Sequence, residues 1–304
     1  RQCVQLVDVN EKQDGWDFGY ERVLHFMRLA EKCGMKYFEM SHLFTQWGAE
    51  HPPAVYAEGV NGKRQIFGWE DDSLGERYVG FLREFLTTFV CFLRKNGYGE
   101  DRVLFHISDE PNCNHLERYL KLRKIVKGCL GGYKVLDALS DYEFYAKGCV
   151  DIPVSTTDHA GVFLENNVEN LWVYYCCGQG GEYLSNRFMA MPLQRTRILG
   201  YQLYLAGCKG FLHWGYNYYN SALSEREIDP YTVTDADGSF QSGDSFIVYP
   251  GKDGPLDSVR HEAMADAMQD YRILMLLENR IGREEVCRFL REEGVLSFTE
   301  YPHD

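Results

Sequence analysis

The stretch RVLFHISDEP, residues 102–111, is an apolar run that ends abruptly in two carboxylates and a proline. A short, continuously apolar run of this kind reads as a strand covered on both faces, as strands of parallel sheets are. Working outward, similar runs recur: CVQLVDV from Cys3 to Val9, MKYFEM at 35–40, YKVLDAL at 133–139, CVDIPV at 149–154, LWVYYC at 171–176, GFLHWGY at 210–216 and SFIVYP at 245–250. Between them lie stretches with helical spacing, at about 18–33, 73–95, 114–127, 187–206 and 256–279, with more helix to about 292. A long loop carries Trp47, Pro52, Pro53 and Trp69. Strands alternating with helices imply parallel pairing through right-handed crossovers. A doubly wound nucleotide-binding sheet would place G-x-G-x-x-G after its first strand, and neither that motif nor G-x-x-x-x-G-K-[ST] occurs. The expected fold class is therefore α/β, a (β/α)8 TIM-like barrel, in one domain over residues 1–304 that includes the C-terminal helices at about 255–292. Its active site belongs where strands end and βα loops begin.

Composition narrows the function. The 304 residues are 45% hydrophobic, 25% charged and 14% aromatic, which excludes a disordered chain. The net charge of −13 argues against a nucleic-acid partner. No apolar run approaches the roughly 20 residues of a membrane span. The ten cysteines are scattered without a C-x-x-C pair, so they read mostly as reduced, buried small apolar residues. The adjacent Cys176 and Cys177 would face opposite sides of a strand. The chain opens on Arg1 rather than Met, which reads as a boundary other than a native start, and the compartment expected is the cytoplasm.

The strand exits concentrate acids and large aromatics: Glu39 to His42, Asp109 and Glu110, Asp137 to Asp141, Asp158 and His159, Tyr174 and Tyr175, and the run from His213 through Trp214 and Tyr216 to Tyr219. Aromatic faces beside hydroxyls, amides and acids suit a sugar, whose C–H face stacks while its hydroxyls hydrogen-bond. Asp109 and Glu110 are the sharpest feature. Adjacent carboxylates at the edge of a pocket raise one pKa, and an acid kept protonated near neutrality can serve as general acid. The competing reading makes Asp109 the cap of the next helix and Glu110 part of its first turn.

Glycosidases commonly place a second carboxylate about 5–9 Å from the acid. Here the late strand exits at 171–176 and 210–216 carry no Asp or Glu, and Glu182 lies several residues beyond its strand. That pattern points to substrate-assisted hydrolysis, in which the sugar's own 2-acetamido oxygen attacks the anomeric carbon. The enzyme then supplies one acid/base and one neighbouring acid that orients the acetamido N–H, which an adjacent Asp-Glu pair suits.

HISDEP (106–111), FLHWGYNYYN (211–220), GDSFIVYPG (243–251) and SVRHEAMADAMQDY (258–271) together resemble glycoside hydrolase family 123 and the related domain of unknown function 4091, in order from about residue 17 to 280. The resemblance implies a (β/α)8 barrel preceded by a β-sandwich. It implies retaining exo-hydrolysis of β-linked N-acetylgalactosamine through an oxazoline, with Glu110 as general acid/base and Asp109 orienting the acetamido group. This chain has no room for the sandwich. The family's dyad follows the fourth strand, whereas only three runs, 3–9, 35–40 and 102–108, lead to Asp109. The first barrel strand is thus expected upstream of Arg1, or the barrel is modified.

Further substrate contacts are expected from Tyr174 or Tyr175, one of which should face the barrel mouth, and from Trp214 and Tyr216, which alternate along one strand and so share a face. Glu39, His42, Trp47 and Asp158 complete the set. Each has a plainer alternative: core packing for the tyrosines and Trp214, an ion pair for Glu39 and His42, helix capping for Asp141, Asp158 and His159. His106 reads as an interior histidine. No cofactor is expected and no metal, since H-x-H and H-E-x-x-H are absent and Asp235, Asp237, Gly238 and Asp244 do not follow the EF-hand pattern. The expected partner is a small-molecule or glycan substrate with a terminal N-acetylhexosamine, with no nucleic acid and no membrane. Three alternatives stay open: a glycosidase of other sugar specificity using Glu182 or a loop acid, a carbohydrate-binding barrel without turnover, and a building block of a larger assembly.

Overall fold

The structure, a computed structural model, describes residues 4–303, in two compact units split between Pro153 and Val154. The N-terminal unit contains β1 (Asp8–Glu11), β2 (Trp16–Gly19), α1 (Glu21–Lys32), β3 (Phe38–Glu39), β4 (Val55–Gly59), β5 (Gly62–Phe67), α2 (Glu76–Lys95), β6 (Val103–Phe105), α3 (Leu116–Leu130), β7 (Lys134–Ala138) and α4 (Tyr142–Ala146). The C-terminal unit follows with β8 (Ile152–Thr156), α5 (Ala160–Glu165), β9 (Trp172–Tyr174), α6 (Leu193–Arg197), α7 (Leu199–Ala206), β10 (Gly210–Leu212), β11 (Tyr249–Gly251), β12 (Gly254–Leu256), α8 (Val259–Ile281) and α9 (Arg283–Glu292).

In the N-terminal unit β3 and β7 flank β6 in parallel, through Phe38 opposite Val103 and Leu104 opposite Lys134. Helix α2 buries Tyr78, Phe81, Leu82, Phe85, Leu86, Phe89, Val90 and Leu93, the three-and-four spacing of one helix face. Phe81, Phe85, Phe89 and Phe92 stack in sequence along it, with ring centroids 6.2, 5.3 and 6.0 Å apart. A second sheet, ordered β2-β1-β4-β5, lays Trp16 and Phe18 against Phe81 at 5.1 and 5.5 Å. Truncating Phe81 to Ala would cost about 3–5 kcal/mol.

In the C-terminal unit β8 and β10 flank β9 in parallel, Val154 and Gly210 both lying opposite Trp172. Helix α8 runs against α6 and α7. A Cβ on Gly200 would lie 2.0 Å from the Ala267 carbonyl oxygen, so that crossing needs a glycine. Helix α9 closes a cluster of Tyr204, Leu274, Val286, Cys287, Leu290 and Val295.

The fold is thus mixed α/β with parallel strands and helical crossovers, TIM-like in its alternation, and among the described residues it is not a complete (β/α)8 barrel. The run at 3–9 is a correction. Of its described residues only Asp8 and Val9 are strand, the start of β1, which pairs antiparallel with β2 and belongs to the side sheet; Cys3 lies outside the described residues. Only β3 and β6, not three strands, lead to Asp109 in the parallel set. The apolar Val4, Leu6 and Val7 are the misleading signal, because they precede the strand, and β1 itself reads DVNE with Val9 its one apolar and one buried residue. The loop around Trp69 likewise contains the β4–β5 hairpin. The described cysteines form no disulfide, but only Cys149, Cys208 and Cys287 are buried, fewer than expected.

Candidate active site

Strand β6 is wholly buried, and His106, Ile107 and Ser108 continue it buried, so the first groups to reach the surface are the half-buried Asp109 and Glu110. Their backbone is held from both sides. The Trp47 N–H donates to the Asp109 carbonyl at 2.9 Å, the Phe44 N–H to the Ile107 carbonyl at 3.0 Å, and the Ser108 hydroxyl to the Thr45 carbonyl at 2.7 Å. From the other flank, the Glu110 N–H donates to the Ala138 carbonyl at the end of β7, at 2.9 Å.

Glu110 adopts a left-handed φ of 47°, and Trp47 and Ala49 adopt 57° and 54°. Such backbone costs of order 1–3 kcal/mol per residue and persists where its surroundings over-determine it, most often at functional sites. The Trp47 indole N–H reaches a Glu110 carboxylate oxygen at 3.5 Å, while the ring stays 53% exposed. The helix-capping alternative meets a different residue. Asn112 accepts from the Asn114 N–H at 3.1 Å, and the His115 ring nitrogen accepts from the Asn112 N–H at 3.1 Å, forming a capping box at the turn before α3.

Glu39 and His42 meet His106. The His106 Nε2 lies 3.2 Å from a Glu39 oxygen and its Nδ1 lies 3.0 Å from Asp137, while the His42 ring centroid sits 4.7 Å from that of His106. Burial works against charge on His106, but its bonds to Asp137 and Glu39 outweigh this and carry its pKa up to about 9. His42, His106 and Asp137 bring potential metal-ligating atoms within 4.8 Å of one another. The donor set fits a metal poorly, because both nitrogens of His106 face carboxylates at hydrogen-bond distance and so act as donors. His106 and Asp137 were not among the residues expected to act; their signal in the sequence is position alone, His106 three residues before Asp109 and Asp137 at the exit of the next strand.

In the C-terminal unit, Tyr174 ends β9 and is buried. Tyr175 is also fully buried, its ring 4.8 Å from Phe211 and 5.1 Å from the Arg187 guanidinium carbon, and burial pushes its hydroxyl pKa up. Trp214 packs on Phe240 and Tyr218 at 5.3 and 5.7 Å. Tyr216 is 45% exposed and meets His261 edge-on at 5.6 Å. β10 ends at Leu212, so both residues lie beyond the strand in which period-two alternation applies. A Cβ on Gly215 would lie 2.2 Å from the Asp244 carbonyl oxygen. Asp158 caps no helix; it meets His159 at 3.1 Å and Gln179 at 3.2 Å. Burial would raise the Asp158 pKa, but hydrogen bonds from Thr156, His159 and Gln179 lower it. Asp141 does cap α4, accepting from the Glu143 N–H at 3.0 Å. Glu182 is exposed in the following loop.

The same unit holds a buried polar cluster that residue types alone did not reveal. Arg187 and Asp244, both fully buried, approach to 3.2 Å, and Arg260 donates to the carbonyls of Arg187, Gly243 and Phe246 at 2.9, 2.7 and 2.8 Å. Burial pushes the Asp244 pKa up to about 6 against the pull of Arg187. Burial, with Arg187 and Arg260 nearby, pushes His213 down to about 2. GDSFIVYPG and SVRHEAM were legible as motifs; here Asp244 and Arg260 brace the backbone around Gly215.

The model of the glycoside hydrolase 123 catalytic domain matches residues 1–277. A solved family 123 glycoside hydrolase from Clostridium perfringens, described in connection with glycolipid glycan hydrolysis, is similar to 94% of the chain with a TM-score of 0.69 and 14% identity. The chain spans 50% of that protein's length. No curated protein matches.

Proposed function

The chain belongs to glycoside hydrolase family 123, and from that premise we propose that it is a retaining, exo-acting β-N-acetylhexosaminidase that uses its substrate's acetamido group as nucleophile, with N-acetylgalactosamine as the first sugar to test. The observation that carries the reading is the adjacent Asp109 and Glu110 at a strand exit, with Glu110 in left-handed backbone and in contact with Trp47.

In this mechanism Asp109 accepts a hydrogen bond from the acetamido N–H, which orients the group and makes its carbonyl oxygen more nucleophilic. That oxygen attacks the anomeric carbon as the glycosidic C–O bond breaks, and Glu110 donates its proton to the departing oxygen. The product is an oxazolinium ion whose N–H stays hydrogen-bonded to the Asp109 carboxylate; passing that proton to Asp109 gives the neutral oxazoline, and Asp109 returns it in the second step. A water then attacks the anomeric carbon from the face the aglycone left. Glu110, now a carboxylate, takes the water's proton, and the C–O bond to the acetamido oxygen breaks. Two inversions give retention. No carboxylate need bond covalently to the sugar. Holding the internal nucleophile in attack geometry supplies much of the acceleration, since well-oriented intramolecular reactions reach effective molarities of about 10⁵–10⁸ M.

Trp47, exposed beside Glu110, is the proposed wall for the sugar's apolar face, with Glu39 and His42 as hydroxyl contacts. Tyr174, Tyr175, Trp214, Tyr216 and Asp158 are the candidates of the C-terminal unit by itself, and the exposed ring of Tyr216 makes it the first of them to substitute. The test is release of an aryl group from aryl N-acetyl-β-galactosaminide and from plain aryl β-galactoside. We expect turnover of the first only, abolished in Glu110→Gln. Equal turnover of both would replace this reading with a glycosidase of other specificity, and saturable binding without turnover would replace it with a carbohydrate-binding module.

A further inference from the structure

Asp137 is completely buried at the end of β7, yet its carboxylate is surrounded by donors. The Ile107 N–H lies 3.1 Å from each of its oxygens and the Ser108 N–H lies 3.2 Å from one, while the buried Tyr119 hydroxyl and the His106 Nδ1 also donate to it. Burial is the largest influence on Asp137 and raises its pKa, while the two amides, Tyr119 and His106 pull the other way by donating to its carboxylate form. The two amides belong to the residues immediately before Asp109 and Glu110. His106 in turn bridges to Glu39 at the end of β3, so one buried side chain ties the exits of β3, β6 and β7 together.

We propose that Asp137 is a positioning residue of the Asp109–Glu110 pair: its carboxylate clamps the backbone that carries the pair and holds His106 as an imidazolium that fixes Glu39. The proposal rests on the catalytic reading of that pair for its effect on turnover, but the clamp itself does not. Orientation is the reason it matters, because a misplacement of about 1 Å at a reacting group can cost about 100-fold in rate. The groups facing His106 are Glu39 from β3, His42 from the loop after it, Asp137 from β7 and, through Asp137, Tyr119 from α3. Both carboxylates favour the cation, which agrees with the raised pKa of His106.

The variant is Asp137→Asn, which keeps the shape and removes the charge. Three quantities are measured on the whole chain: the His106 imidazole titration by NMR, hydrogen exchange at the 107–110 amides, and kcat and KM on the aryl substrate across pH. We expect His106 to stay protonated to about pH 9 in the parent and to titrate at least tenfold more readily in the variant. We expect exchange at 107–110 to rise, and kcat to fall about 10- to 100-fold with KM changed less than threefold. The alkaline limb of kcat should move to lower pH, a shift that mere loss of stability would not produce. If Asp137→Asn does not fold, Tyr119→Phe removes one donor, and a smaller rise in exchange at 107–110 is expected. A neutral His106 at pH 7 in the parent, or unchanged exchange and pH profile in a folded variant, would overturn the proposal. Absence of turnover in the parent would count against the catalytic reading alone, since the titration and exchange still decide the clamp.

Discussion

The indole nitrogen of Trp47 stands 3.5 Å from a carboxylate oxygen of Glu110, and the Trp47 N–H holds the carbonyl of Asp109 at 2.9 Å. One residue therefore touches both members of the carboxylate pair, one through its side chain and the other through its backbone. The contact brings a loop residue 62 positions before Asp109 to the strand exit, where Trp47 adopts a left-handed φ of 57°.

Trp47→Phe keeps the ring and the backbone bond but removes the indole donor. We expect kcat to fall about 10-fold, the effect of losing one hydrogen bond to a charged group worth about 1.5 kcal/mol, with a folded state unchanged by circular dichroism. Trp47→Ala should in addition raise KM several-fold, because it also removes the stacking face. Equal kcat in parent and Trp47→Phe would show that the indole nitrogen has no part in the reaction.

Stability should depend on pH in a direction set by His106. Its folded pKa, about 9, lies above the ordinary value of about 6.5. The stabilisation is complete below about pH 6.5, declines as pH rises and is gone above about 9, a loss on the order of 3 kcal/mol. Thermal melts of the parent and His106→Gln should thus converge between pH 6.5 and 9. His213 has the opposite sign: its pKa is depressed to about 2, so it costs stability as pH falls below about 6.5. Between about pH 3.8 and 6 the raised pKa of Asp244 opposes it. The melting difference between the parent and His213→Phe should therefore grow on acidification.

Gly215 has no room for a side chain. A methyl group would press on the Asp244 carbonyl at 2.2 Å and on an Arg187 guanidinium nitrogen at 2.9 Å, neither of which can move without breaking the buried bracing. We expect Gly215→Ala to destabilise by about 1–3 kcal/mol, read as a lower midpoint in urea. An unchanged midpoint would mean that this contact relaxes freely.

How much of this was legible in the residues differs by region. Alternating apolar runs and helical spacing gave the α/β class, because burial on both faces leaves few polar residues in a strand such as 103–105. They did not give strand membership: the run from Cys3 to Val9 reads as a strand of the parallel set, yet the strand is DVNE, 8–11, and register places it beside β2. Asp109 and Glu110 were legible because two adjacent carboxylates after an apolar run serve no packing purpose. Asp137 and Asp244 were not, since a buried acid is recognised by the donors around it and those come from distant positions. Period-two spacing puts Trp214 and Tyr216 on one face only while the chain is a strand, and β10 ends at Leu212.

The central claim is that the substrate's acetamido oxygen, oriented by Asp109, is the nucleophile. Its most direct test is the inhibition constant of the thiazoline analogue of the N-acetylgalactosamine oxazoline. We expect competitive inhibition at least about 100-fold tighter than that of the parent sugar, as for an analogue of a bound intermediate, and loss of that advantage in Asp109→Ala. Thiazoline binding no tighter than N-acetylgalactosamine, with turnover intact, would contradict the claim.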